Sequence, residues 1–436
     1  MSPTSLLTTL LVAAASVRLA AAASAQVFSP PGKGPLKQTA NYTSFSNSTL
    51  HDHKVVKGKA FDRIIQIWLE NTDFEVAASS PMFESLSEQG ITFTNFHSTT
   101  HPSEPNYIAS AGGDFFGAAD DNMYHIPSNI SCVVDLLEDR GVSWATYQEN
   151  MPTDSFYGYS YTQPNYINSS AAPYIYYYRK HNPLIIYDAV SQDPERVKRV
   201  RTFNDFANDV VNGTLPQWMF ITPNMVNDAH DTTIDFAADF LEYWLLPLLT
   251  DPRVNGERTL ILLTFDENES FGVQNTIYAV ALGTAVPVNL RGTTDDTVYS
   301  HYSTLSTVQN NWDLKSLGRQ DTNASIASVF DFVAKQTGHK NTPAAPNQVP
   351  HFNLTGVASG PLSSAHYVPF AAPNVNAKGA GKGGVFLRPG INLKLTADKL
   401  PAPVNLTALN TTTPWQMSPE TTSGKKMIKC QGAACP

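Results

Sequence analysis

Only three cysteines occur in 436 residues, Cys132, Cys430 and Cys435. That scarcity excludes a disulfide-held scaffold and a thiolate metal centre. Cys430 and Cys435 would close a small loop as a disulfide in an oxidising compartment, which leaves Cys132 as a buried structural thiol. Positive charge is also short: 29 Lys and Arg stand against 38 Asp and Glu. No long basic cluster is available to neutralise nucleic-acid phosphates or an anionic membrane, and the basic residues from Arg196 to Arg201 read as the exposed face of a helix. Long apolar runs are missing as well. A spanning helix needs about 20 apolar residues, whereas the stretch at residues 6–17 is broken by Arg18 and runs on to Ala23-Ser24-Ala25. Residues 1–25 therefore read as a cleaved export signal, with no Lys or Arg near Met1, rather than as a membrane anchor. There is no Gly-x-Ser-x-Gly elbow, which argues against an α/β-hydrolase triad, and no internal repeat.

What is present is enough apolar material for a sizeable core, 42% of the chain, and many acceptor triplets for N-glycosylation. These lie at Asn41, Asn47, Asn129, Asn168, Asn212, Asn268, Asn323, Asn353, Asn405 and Asn410. Their density behind an export signal predicts a secreted glycoprotein, outside the cell or in its wall. Residues 26–56 are rich in Ser, Thr and Pro and predict an extended glycosylated arm. Residues 57–343 carry alternating strand and helix signals. Residues 344–436 are rich in Pro, Ala and Gly and predict a segment wrapping the core.

Apolar runs within 57–343 repeatedly end in polar chemistry. The run at 260–265 closes on Asp266 and Glu267, and 61–69 runs into Glu70 and Asn71. In the same way 142–147 leads to Glu149 and Asn150, 218–222 to Asn224, Asp228, His230 and Asp231, and 90–96 to His97, His101 and Ser103. Continuous apolar runs of this length suit strands buried on both faces of a parallel sheet. Ligands bind outside the carboxyl ends of such strands. Helices are predicted from Pro81 to Gly90, with Ser80 as cap, from Asp235 to Leu246, and from Asn323 to Phe332. The fold class is therefore α/β, a mostly parallel central sheet flanked by helices. The tyrosine-rich stretch from Tyr157 to Tyr178 predicts an insertion near the site.

Ser103 stands between Pro102 and Pro105 after a strand, on a stiff, turned backbone. A serine hydroxyl needs a base or a metal to become a nucleophile, and its neighbours are carboxylates, amides and histidines. Glu70, Asn71, Asp266 and Glu267 form an oxygen-rich set that fits one hard divalent cation.

Glu70-Asn71, His101-Pro-Ser103-Glu-Pro-Asn-Tyr107, Lys180-His-Asn-Pro183, Asn227-Asp-Ala-His-Asp231 and Asp266-Glu267 together resemble the phosphoesterase family of the alkaline-phosphatase superfamily. The resemblance runs over about residues 61–321 and is nearest to the secreted fungal acid phosphatases. It implies an alkaline-phosphatase-like core and hydrolysis of small phosphate monoesters. It also implies Ser103 as nucleophile beside one divalent metal held by Glu70, Asn71, Asp266 and Glu267. His181 and His230 would bind phosphate oxygens or protonate the leaving group, with Asp231 and Asn150 supporting them. Charged His181 and His230 would favour acid conditions. The competing readings are a phospholipase C-type phosphodiesterase, a non-catalytic wall glycoprotein, and a sulfatase, whose Cys/Ser-x-Pro-x-Arg signature is missing. His97, His101 and His301 receive no role at this level, nor does the sequence fix the metal or the oligomeric state.

Overall fold

The computed structural model describes residues 50, 51, 54–165, 170–256, 258–271, 273–342, 358–363 and 366–396. The predicted export signal, the Cys430–Cys435 pair and the acceptors Asn41, Asn47, Asn168, Asn353, Asn405 and Asn410 lie outside the described residues.

Twelve strands and nine helices are described in chain order. The strands are β1 (Arg63–Leu69), β2 (Ile91–Phe93), β3 (Phe96–His97), β4 (Trp144–Gln148), β5 (Ser160–Gln163), β6 (Tyr174–Tyr178), β7 (Val200–Thr202), β8 (Trp218–Thr222), β9 (Thr259–Phe265), β10 (Ala279–Leu282), β11 (Thr293–Asp295) and β12 (Tyr299–Ser300). The helices are α1 (Phe74–Ala78), α2 (Pro81–Gln89), α3 (Ser103–Gly112), α4 (Val133–Arg140), α5 (Asp188–Ser191), α6 (Phe203–Asn212), α7 (Ile234–Thr250), α8 (His301–Trp312) and α9 (Asp331–Thr337).

The main sheet has eight strands in the order β11-β2-β10-β9-β1-β8-β4-β7. All its pairings are parallel except those of β10, which runs antiparallel to β9 and β2. The predicted α/β architecture is therefore the observed one. Central β1 and β9 are buried almost throughout because helices cover both faces. On one face α2 packs on α7, and Phe203 of α6 stacks on Trp244 of α7 at 5.2 Å. On the other, α3, α4 and α9 pack against α8, and Trp68 of β1 meets Tyr107 of α3 at 5.2 Å and His301 of α8 at 4.2 Å. Parallel register puts the carboxyl ends of β1, β8, β9 and β4 on one edge. The described part of the C-terminal segment lies on the core: Phe370 packs on Phe116 at 5.2 Å, and the Phe386 N–H donates to the Ser316 carbonyl at 2.8 Å.

Three local expectations change. Asn323 begins a turn and not a helix, because its side chain accepts from the N–H and hydroxyl of Ser325; the helix starts at Asp331. Helix α7 continues through Pro247 to Thr250. The basic group at 196–201 is no exposed helical face. Arg196 pairs with Asp135 and Glu138, and Arg201, on β7, is fully buried. Arg201 binds Asp209 through Nε at 2.9 Å and Nη2 at 3.1 Å, and Tyr147 donates to the same carboxylate. Removing one partner of a buried ion pair strands the other. Arg201→Ala is therefore expected to lose about 3–5 kcal/mol in denaturant unfolding, and wild-type stability would refute this account of the pair.

Cys132 is buried and free, and burial pushes its thiol up to about 12, as the structural reading requires. Among the described residues no helix is long and apolar enough to cross a membrane. Asn212 and Asn323 are exposed and Asn129 partly so, whereas Asn268 is buried, its amide donating to the Ser270 carbonyl and its N–H to Asn275. The folded chain has no room for a glycan on Asn268.

Candidate active site

Ser103 is the first residue of α3, and Pro105 sits in the opening turn, where a missing N–H breaks no helical bond. The sequence expectation of a stiff turn is replaced by a helix start that aims Ser103 at the strand ends. Its Oγ donates to Glu70 Oε2 at 3.0 Å. Tyr107, one turn further along α3, gives a short hydrogen bond from its hydroxyl to Glu70 Oε1. The other end of the site comes from β8, where Asn224 caps the loop by accepting from the N–H groups of Val226 and Asn227. Ala229 then takes a left-handed φ of 84°, which is strained for alanine. That kink turns Asp228 inward while His230 and Asp231 stay at the partly exposed rim.

Glu70, His181 and Asp228 each offer an atom within 4.8 Å of the others, all buried. His181 Nε2 lies 3.2 Å from Glu70 Oε1 without hydrogen-bond alignment, and its Nδ1 lies 3.9 Å from Asp228 Oδ2. Asp266 joins them from β9. Its Oδ1 accepts the N–H groups of Asn71 at 3.2 Å and Glu267 at 2.7 Å, and its Oδ2 has no hydrogen-bond partner. Asp228 Oδ2 and Asn71 Oδ1 are likewise buried without one. The Asp266 peptide is pinned by His301, whose Nε2 meets its carbonyl at 2.6 Å, and by the Ser98 hydroxyl.

Burial pushes the carboxyls of Glu70 and Asp228 well above the usual range, and the neighbouring acids add to it. Asp266 is raised by burial too. His181 goes the other way: burial, then Lys180 and His230, hold it neutral well below its ordinary value. Crowded acids with unpartnered oxygens beside a neutral imidazole make a donor set for a hard divalent cation. Glu70, Asp228, Asp266 and His181 would hold it, with Ser103 and Asn71 alongside.

The family model of the phosphoesterase family matches residues 36–315. The chain belongs to the phosphoesterase family. It is 44% identical to an acid phosphatase of Aspergillus fumigatus over 74% of this chain and 70% of that one. It is 48% identical to a probable acid phosphatase of Kluyveromyces lactis over 66% of each chain. A phosphate-repressible acid phosphatase of Penicillium chrysogenum is 42% identical over 72% of each. Among solved structures, an alkaline phosphatase superfamily protein from Vibrio parahaemolyticus is similar over 61% of this chain and 70% of that one, at 10% identity and a TM-score of 0.37. This phosphoesterase is an enzyme of the acid phosphatase kind.

Within this family member, the expected site residues separate. Ser103, Glu70, Asn71, Asp266 and His181 come together. Glu267 faces elsewhere: its Oε2 pairs with His101 Nδ1 at 2.9 Å and accepts the Asn106 amide at 3.3 Å, and burial pushes it up to about 7 against the pull of His101. Glu267, the last of the four expected ligands, instead braces the chain leading into Ser103. Asn150 bonds Gln163 at 2.5 Å and Asn224 at 2.7 Å, bracing the β8 loop. His230 is oriented by Asp231, whose Oδ1 lies 2.8 Å from Nδ1, while Tyr174 of β6 donates to the other oxygen of Asp231. The tyrosine-rich insertion does reach the site. His181, expected as a phosphate-binding or proton-donating group, is buried beside Glu70 and Asp228.

Sequence reasoning placed Asp228 at a strand exit but gave it, Tyr107 and Lys180 no role of their own. Asp228 had a usable signal, since it follows an apolar strand and shares a motif with His230. Tyr107 had one too: it lies four residues, one helical turn, beyond Ser103. His97, left unassigned, meets Asn95 at 2.6 Å and Thr276 at 3.3 Å beside the sheet edge.

Proposed function

We propose that this chain is a secreted acid phosphatase that hydrolyses small phosphate monoesters through a phosphoseryl intermediate on Ser103. The observation that carries the reading is the Ser103 hydroxyl donating to Glu70, which gathers with His181 and Asp228 into a buried donor cluster, at a helix start that favours anions. A bound divalent cation would supply Lewis-acid stabilisation of the phosphoryl oxygens. The rest falls to the chain itself. Glu70 accepts the hydroxyl proton as Ser103 Oγ bonds to phosphorus and the ester P–O bond breaks. The leaving oxygen takes its proton from His230, which stands on the open side held by Asp231. Water then gives a proton back to His230 as its oxygen bonds to phosphorus, the Ser103 Oγ–P bond breaks, Glu70 returns its proton to Oγ, and phosphate departs. Secretion is supported by the apolar leader, by the density of glycosylation acceptors and by the accessible Asn129, Asn212 and Asn323.

The test is turnover of a chromogenic monoester and the matching diester by purified, metal-loaded protein, with phosphoserine trapping by acid quench. The expected result is monoester hydrolysis at mildly acid pH, with label on Ser103. Preferential diester cleavage would replace the reading with a phospholipase C-type activity. No cleavage of either ester would leave the wall-glycoprotein reading.

A further inference from the structure

Lys180 lies where a lysine is costly. It is 7% exposed, and taking an ammonium out of water costs several kcal/mol unless partners compensate. Its place is fixed by a short helical turn, Arg179–His181, whose three side chains grip three neighbours of the site. Arg179 Nη1 lies 4.0 Å from Glu104, Lys180 Nζ donates to Asp121 Oδ2 at 3.0 Å, and His181 approaches Glu70. Asp121 accepts the Glu104 N–H through its other oxygen at 3.0 Å. The turn is thereby strapped alongside the start of α3, and the long lysine stem cannot swing away from the helix that carries Ser103.

An ammonium has three N–H donors. One goes to Asp121. A second faces His230 Nε2 at 3.5 Å. The third has no partner among the described residues. Its chain neighbour His181 lies 3.2 Å from Glu70 and 3.9 Å from Asp228, so Lys180 sits beside the acid cluster, and its charge favours the ionised form of all three acids. A fixed cation with a donor to spare, next to a serine nucleophile and a rim histidine, is built to meet an oxyanion. Lysine is a common phosphate binder, acting as a point charge.

We propose that Lys180 binds a nonbridging oxygen of the substrate phosphoryl group, as a catalytic residue that favours the dianionic monoester over the monoanionic diester. The proposal rests on the reading of Ser103 as the phosphoryl acceptor. The competing account is that Lys180 only offsets partly buried Asp121. Lys180→Met, Asp121→Asn and the double variant separate the two, measured by calorimetric titration of inorganic phosphate, titration of the divalent metal, and kcat/KM on a monoester and a diester.

Lys180→Met is expected to weaken phosphate binding and monoester kcat/KM by about 100-fold or more, the usual cost of one oxyanion donor. The diester should lose less. Metal affinity should stay level or rise, because a positive charge has left the cluster. The double variant strands no buried charge, so it carries the test if Lys180→Met fails to fold, and it should stay as impaired in phosphate binding. Wild-type phosphate affinity in the double variant would reduce Lys180 to the partner of Asp121. Loss of metal from Lys180→Met would make it part of the metal site. Either result overturns the proposal. A wild-type protein that binds phosphate but turns over no ester would instead sink the reading of Ser103, leaving the phosphate titration as the judge of Lys180.

Discussion

Ser103→Ala is expected to cut kcat on a phosphate monoester by at least about a thousandfold while the protein stays folded and keeps its metal. Removing a nucleophile eliminates the covalent route, leaving only the residual rate that binding and electrostatics sustain. The two other properties should survive because the hydroxyl is neutral and small. Helix α3 is anchored independently, by Asn106, whose side chain caps the N–H groups of Thr99 and Thr100, and by Tyr107 on Glu70. The acids Glu70, Asp228 and Asp266 with His181 remain to hold the cation. Acid quench with a phosphorus-labelled substrate gives the sharper readout: label on the wild-type chain, none on the variant. A folded, metal-loaded Ser103→Ala protein with wild-type turnover would end the serine mechanism.

The sheet was readable because of a one-dimensional signal. Strands such as 260–265 and 218–222 are covered on both faces, so nothing polar is tolerated until the strand ends, and the first polar groups then gather on one edge. Which of those groups meet is decided by turns, and there the sequence is less informative. Asp266 and Glu267 are adjacent, but successive residues of extended chain point to opposite sides, so only Asp266 joins the cluster and Glu267 turns to His101. Asp228 enters from six residues beyond β8 because Asn224 and the left-handed Ala229 shape its loop. Ser103 looked like a rigid turn because two prolines flank it, yet proline is at home in the first turn of a helix. The basic group at 196–201 misled for a different reason: Arg201 is neutralised by Asp205 and Asp209, which periodicity alone cannot locate.

Glu70→Gln and Asp228→Asn are each expected to weaken divalent-cation binding by at least about 100-fold. Asp228→Asn should regain part of its activity at high metal, whereas Glu70→Gln, which also removes the acceptor of the Ser103 proton, should not. Without a cation, the buried carboxylates of Glu70, Asp228 and Asp266 repel one another when charged. All three carboxyls are raised by burial, and Asp266 and Asp228 push Glu70 up further. A cation must displace those protons, so metal affinity should fall as pH falls. Stability follows the same linkage with a definite sign. A carboxyl whose folded value is raised contributes stability fully present below its unfolded value near ~4 and lost as pH rises through the folded value. His181 and His301 oppose this: burial holds both neutral, His301 down to about 3, and their contribution is lost as pH falls below about 6.5. The acids outnumber them, so the metal-free protein should be more stable at pH 5.5 than at pH 8. Metal should erase that difference. Asp228→Asn removes one of the repelling charges, so in chelator at pH 8 it should melt above the wild type while binding metal far more weakly. Scanning calorimetry with chelator and with metal, at both pH values, reads all of this at once. Wild-type metal affinity in both variants, or a metal-free wild type that is more stable at pH 8 than at pH 5.5, would show that these carboxylates are not a cation site.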